Sequence, residues 1–174
     1  MKTNIIMKVM NVIFWIIFIG LCIKTGALLV SLFVTLFINS AGAKDTYMGL
    51  DLLNVYNYNV EYYIGIASFI ITLTAMKAYL AYLVVKLFLK FDINRPFNQN
   101  VSSIISKIST YALSIGVVAL IADQYSEHVI KNGVDISYIN WGTEEFLFFA
   151  GIIYMIALVF KKGVEIQNEN ELTI

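Results

Sequence analysis

Of cysteine, proline and histidine this chain has one residue each, and charged residues make up only 14% of its 174 positions. Each scarcity removes a class of function. A lone Cys22 cannot form an intrachain disulfide and is poor support for a metal site. His128, without a second histidine, allows neither a histidine-based dyad nor a multi-histidine metal centre. No glycine-rich phosphate loop follows a strand pattern, and aspartate and glutamate are not paired inside any apolar run. The sequence therefore predicts no catalytic residues, no metal ligands and no cofactor. Formal net charge is zero, which argues against direct nucleic-acid binding through bulk electrostatics.

What is present is apolar. Hydrophobic residues make up 59% of the chain, and the mean hydropathy is +0.76. Soluble domains are about half apolar and about one quarter charged, so this chain has too little polar surface to cover a globule of its size. The bilayer is the solvent the composition calls for. A span needs roughly 20 apolar residues to cross a hydrocarbon core about 30 Å thick. Four segments meet or approach that length: 9–38, 62–89, 101–122 and 144–160. No repeat and no Gly/Ser-rich linker divides them. The expectation is an all-α, four-transmembrane-helix bundle forming one domain over residues 1–174, with a tail at 161–174. Lys2 and Lys8 ahead of the first run resemble a secretory signal, but the run is about twice the length of a signal's apolar region, at most ~15 residues. It reads as an uncleaved first span.

Basic residues set the orientation, because cytoplasmic loops carry the excess of Lys and Arg. With the N-terminus inside, Lys2, Lys8, Lys86, Lys90, Arg95, Lys107, Lys161 and Lys162 lie on the cytoplasmic side. Only Lys44 and Lys131 lie outside. Both termini are then cytoplasmic. The two outer loops, 39–61 and 123–143, are rich in tyrosine and hold Trp141. They read either as an interfacial aromatic belt or as a small folded cap, with "VDISYINW" (134–141) alternating enough for a short strand. The inner loop carries Pro96, which a helix tolerates in its first turn, and Asn98 or Asn100 as a cap for the third helix.

Lysines inside the runs are the unusual feature. A helix over 9–38 is about 45 Å long, and fitting it within the bilayer needs a tilt near 48°, beyond the usual range of about 0–40°. Part of it must overhang, which places Lys24 in the outer leaflet and lets 28–38 project beneath the tyrosine-rich loops. Gly20, Lys24, Ser31 and Thr35 share about 60° of the helical wheel. Asp123, Glu144 and Glu145 are the carboxylates able to approach at that depth, so an intramembrane polar cluster of Lys24, Ser31, Asp123, Glu144 and Glu145 is expected, alongside plain snorkelling of Lys24 and a functional ion or proton site. Lys77 has no acidic residue at its depth and is expected to snorkel inward or to meet a ligand. On the third helix Ser103, Ser106, Lys107, Thr110 and Ser114 line one side. Small hydroxyl residues favour close helix contact, so Ser103, Ser106, Thr110 and Ser114 are the expected packing face.

The chain closes with "VFKKGVEIQNENELTI". This ending resembles the bacterial membrane family called domain of unknown function 2975, whose members have a glycine after the fourth helix and then finish in Glu-Asn-Glu-Leu-Thr-Ile or a near variant. "RPFNQNVSSIISKIS" at 95–109 is similar to the same family, and the four-helix plan fits almost the whole length. The resemblance implies a multi-pass protein of the bacterial inner membrane with no established activity. It also implies a cytoplasmic helix-turn-helix regulator as partner. Asn170, Glu171, Leu172, Thr173 and Ile174 would engage it, by strand addition or by docking of the terminal carboxylate, unless Leu172 and Ile174 fold back on the inner mouth of the bundle. The expected function is a non-enzymatic interaction or regulatory module. The rival is a small transporter or channel component, or an accessory subunit of a larger membrane complex.

Overall fold

The computed structural model describes residues 2–93, 95–136 and 139–171, with side chains described between residues 5 and 169. Five α-helices follow in order: α1 Lys2–Phe37, α2 Leu53–Tyr58, α3 Val60–Lys90, α4 Gln99–Lys131 and α5 Thr143–Glu171, with a short 3-10 helix at Ser40–Asp45. There is no strand among the described residues, so "VDISYINW" is irregular chain where described, and Ser137 and Tyr138 lie outside the description. α1, α3, α4 and α5 are each long and apolar enough to cross a membrane, the mark of a multi-pass membrane protein.

Two helices run well past their expected ends. α4 continues nine residues beyond 122 to Lys131. Hydropathy falls at Asp123, but Ala122, Ser126 and Val129 stay buried, so the packing face carries the helix on after its outer face turns polar. α5 runs to Glu171 through the polar tail, where the exposed Lys162–Glu165 pair (3.0 Å) spans one turn. Strand addition by the tail is therefore confined to 172–174, outside the described residues. Asn59 and Asn98 start α3 and α4, each accepting a hydrogen bond from a first-turn N–H, Glu61 at 2.7 Å and Val101 at 2.9 Å. Pro96 lies in the loop ahead of α4 rather than within its first turn.

The long helices stand in a row. Along their backbones α1 packs on α3, α3 on α4 and α4 on α5, while α3 meets α5 through side chains, Lys77 resting on Phe146. The bundle is thus open. Half-buried or buried residues of α1 recur as Met7, Asn11, Phe14, Phe18, Leu21, Thr25, Leu28, Leu32 and Thr35, the alternating four-and-three spacing of a coiled-coil seam. Ring contacts fix the antiparallel register with α3: Phe14 to Phe88 at 5.8 Å and Phe18 to Tyr82 at 5.7 Å.

On α4 the expected packing face points the wrong way. Ser103, Ser106 and Thr110 are exposed and Ser114 is half-exposed. Thr110 and Ser114 donate to their own helix, to the carbonyls of Ser106 (3.1 Å) and Thr110 (3.0 Å), so these hydroxyls need no neighbour. The face that does pack is Ser102, Ile105, Ser109, Ala112, Gly116 and Ala119. Ser109 donates to the Ala150 carbonyl of α5 at 3.2 Å. Gly116 is required to be small, because a Cβ there would strike the Leu147 side chain and come 3.2 Å from its backbone nitrogen.

At the end of the row where α1 finishes, the 3-10 helix, α2 and the ends of α3 and α4 form a packed cap. Leu52, Val55 and Tyr63 are fully buried in it. Tyr56 meets Tyr63 edge-on at 5.3 Å, and Tyr62 contacts Tyr58, Tyr125 and His128. Asn132 ties the layer together, receiving the Tyr58 hydroxyl on its carbonyl at 3.0 Å and donating to the Tyr62 hydroxyl at 3.1 Å. Tyr63 is the buried centre of this layer, with Tyr56, Tyr62 and Tyr125 half-buried around it and Tyr58 exposed at its edge.

Candidate functional site

The α1–α3 register sets two lysines side by side. Lys24 lies six residues beyond Phe18 and Lys77 five residues before Tyr82, so the antiparallel pair brings them to one level. Both are half-buried, and both line a cavity of about 150 Å³ with Leu50, Thr74, Asn140 and Trp141. The Lys24 Nζ stands 5.3 Å from the centre of the Tyr47 ring, and the Lys77 Nζ 5.0 Å from that of Phe146. Each ammonium thus rests on an aromatic face.

Neither lysine makes an ion pair among the described residues. Lys24 is close enough to repel Lys77, and Glu145 attracts Lys77 from beyond salt-bridge distance. Lys77 points to the start of α5: a Cβ placed on Gly142 would lie 3.7 Å from its Nζ. That direction is toward the cap, opposite to the inward snorkelling expected from the sequence.

The third polar group is Asn140. Its Oδ1 accepts from the Gly142 N–H at 2.8 Å, which leaves its NH₂ as the free end. Gly142 has φ +76°, the left-handed conformation glycine adopts without strain, and it turns the chain from Trp141 into α5. Thr74 donates its hydroxyl to Ile70 at 2.7 Å within its own helix. Among the described residues the wall therefore carries two ammonium groups, the Asn140 amide and the Trp141 indole as donor-bearing groups, and no carboxylate. Such a wall suits an anion.

The expected cluster of Lys24 with Asp123, Glu144 and Glu145 is not assembled. Those carboxylates line a neighbouring cleft of about 240 Å³, on the other side of Asn140 and Trp141. Asp123 also borders a third cleft, again about 240 Å³, with Ser126 and Glu127. The Ser126 hydroxyl there is buried, at 7% residue exposure, and makes no hydrogen bond. Trp141, only 5% exposed, walls all three spaces and meets Phe69 at 6.5 Å. Ser31 is half-buried on α1 and does not line the lysine cavity. Cys22 is exposed, and no group of residues able to hold a metal ion occurs among those described. Of the tail residues, Leu172, Thr173 and Ile174 lie outside the description.

Sequence reasoning picked out both lysines and missed Asn140, Trp141 and Leu50. The missing signal is the register: only a paired α1–α3 seam puts the two lysines on one scale. No family model, curated protein or solved structure matches this chain.

Proposed function

We propose that the protein is a non-enzymatic, multi-pass protein of the bacterial inner membrane that acts as an interaction and regulatory module. In this reading the cap faces outward and both chain ends face the cytoplasm. The two-lysine cavity receives a signal, and the inner end of α5 passes it to a cytoplasmic partner such as a helix-turn-helix regulator. Kinship with the domain of unknown function 2975 family, on the strength of the "NENELTI" ending, belongs to the same proposal.

The membrane boundaries come from α5. From Thr143, beside Trp141 and Glu144, through Lys162 the helix has 20 residues and a length of about 30 Å, which is one hydrocarbon thickness. Gly116 faces Leu147, so the last three turns of α4 stand outside that slab and build the cap. On the other side α5 continues nine residues past Lys162, about 13 Å into the cytoplasm. There Gly163 packs against the Phe97 ring of the inner loop.

One observation carries the regulatory reading. The cavity wall at Asn140 and Trp141 is the segment that leads directly into α5, and Lys77 rests on Phe146 in its first turn. A ligand between the lysines therefore presses on the top of the helix whose bottom is the tail. Among the long helices α5 packs chiefly on α4, so a push at its top is carried down that one seam. The transporter alternative has less behind it, since the α4 hydroxyls that would line a route face away from the neighbouring helices.

Deleting residues 170–174 tests the output. The shortened protein should keep its helical content and detergent elution position but lose co-purification of a cytoplasmic DNA-binding partner. Equal recovery of that partner with both chains would overturn the proposal.

A further inference from the structure

We propose that the cavity between Lys24 and Lys77 is a binding site for a phosphate monoester. The inference rests on the reading of this cavity as the protein's input and names the chemistry that enters it. Two cations at one depth, each half-buried and neither ion-paired among the described residues, form a local positive spot that Glu145 offsets only from beyond salt-bridge distance. Mutual repulsion and loss of hydration both oppose this arrangement. An anion between the ammonium groups reverses both effects.

The charge count selects the class. A phosphate monoester carries about −1.5 to −2 at neutral pH with three acceptor oxygens, a charge that answers two lysines and an oxygen for each of the two ammonium groups and the amide. A carboxylate, with one charge and two oxygens, leaves one lysine unanswered. Size points the same way. About 150 Å³ is below the range of roughly 300–1,000 Å³ that holds a drug-sized ligand, so the space takes a headgroup rather than a whole organic molecule. Asn140 is held by its bond to Gly142, and its free NH₂ needs no reorganisation to donate.

The phosphate has two possible sources. The Lys77 ammonium lies beside Gly142 and Phe146, at the outer boundary drawn from α5. α1 and α5 do not pack on each other, and the side between them is the one a lipid would approach. A phosphomonoester lipid headgroup can enter from that side, and a soluble phosphate can enter past the polar loop at Asn140.

The experiment uses the full chain in nanodiscs of phosphatidylcholine, titrated with inorganic phosphate by calorimetry, and separately in nanodiscs containing phosphatidic acid, read by ³¹P NMR and native mass spectrometry. Lys24→Gln and Lys77→Gln are compared with Lys107→Gln, an exposed lysine of α4. Saturable phosphate binding weakened at least tenfold by either cavity substitution, and untouched by Lys107→Gln, establishes a soluble ligand. Phosphatidic acid retained in wild type and lost in both cavity variants, without binding of free phosphate, establishes a lipid ligand. Absence of both, or binding that survives the double substitution, overturns the proposal. Acylation of Lys24 and Lys77 in the wild-type protein, with and without the ligand, needs no variant to fold. Equal modification in both conditions also overturns it. Loss of phosphate binding alongside intact partner co-purification removes this inference alone and leaves the tail's role standing.

Discussion

Gly116, Ser109 and Trp141 do most to hold the α4–α5 end of the row, and they do so in different ways. Gly116 is a matter of volume. Two helices touch where it meets Leu147, and an added side chain must push the Leu147 side chain aside and press on the α5 backbone. Gly116→Val is expected to destabilise by about 1–3 kcal/mol, the usual cost of overpacking a well-filled contact, read from thermal or denaturant unfolding in detergent. Trp141 is a matter of partition, since its ring separates the lysines from the carboxylates. Both lysines were legible in the sequence as charges out of place, and so were Asp123, Glu144 and Glu145. Their separation was not, because it depends on where one buried indole stands, and a loop without periodicity gives no rule for that.

Helices are legible where burial and hydropathy agree. Lys77 fell inside the second run and Lys24 inside the first because lipid-facing and partner-facing positions there are both apolar. Where the two diverge, the reading slips. The α4 end was placed at 122 because outward-facing polar residues lower the hydropathy from Asp123 on, while Ser126 and Val129 continue the inner face. The α4 packing stripe slipped for a related reason. Serine and threonine occupy both faces of that helix, and the face with more of them has hydroxyls closed on its own carbonyls. A pair of substitutions separates the stripes. Ser109→Ala, which loses the bond to Ala150, should cost about 0.5–1.5 kcal/mol. Ser106→Ala should lie within about 0.5 kcal/mol of wild type, as exposed substitutions generally do. Equal effects would mean that α4 is rotated from the orientation described.

For the whole molecule, four apolar rods are readable from composition and run length alone. That the tyrosine-rich segments form a cap, and that the rods form a row, is not, because aromatic residues suit both a belt and a core, and hydropathy carries no information on which helix neighbours which. Sidedness is open to direct measurement. In a Cys22→Ser background, Lys44→Cys should react with a membrane-impermeant maleimide on intact cells, and Asn168→Cys should react only after permeabilisation. The reverse pattern would turn the molecule over and move the lysine cavity to the cytoplasmic leaflet.

The row has a consequence for how the chain is made. Along its backbone each long helix packs only on long helices next to it in chain order, α3 on α1, α4 on α3 and α5 on α4. A nascent helix leaving the insertion machinery therefore finds its partner already in the lipid, and none must wait for a later one. Closure entropy is met in small steps rather than one large one, the condition under which assembly is fast. A ring would have required its last rod to find its first.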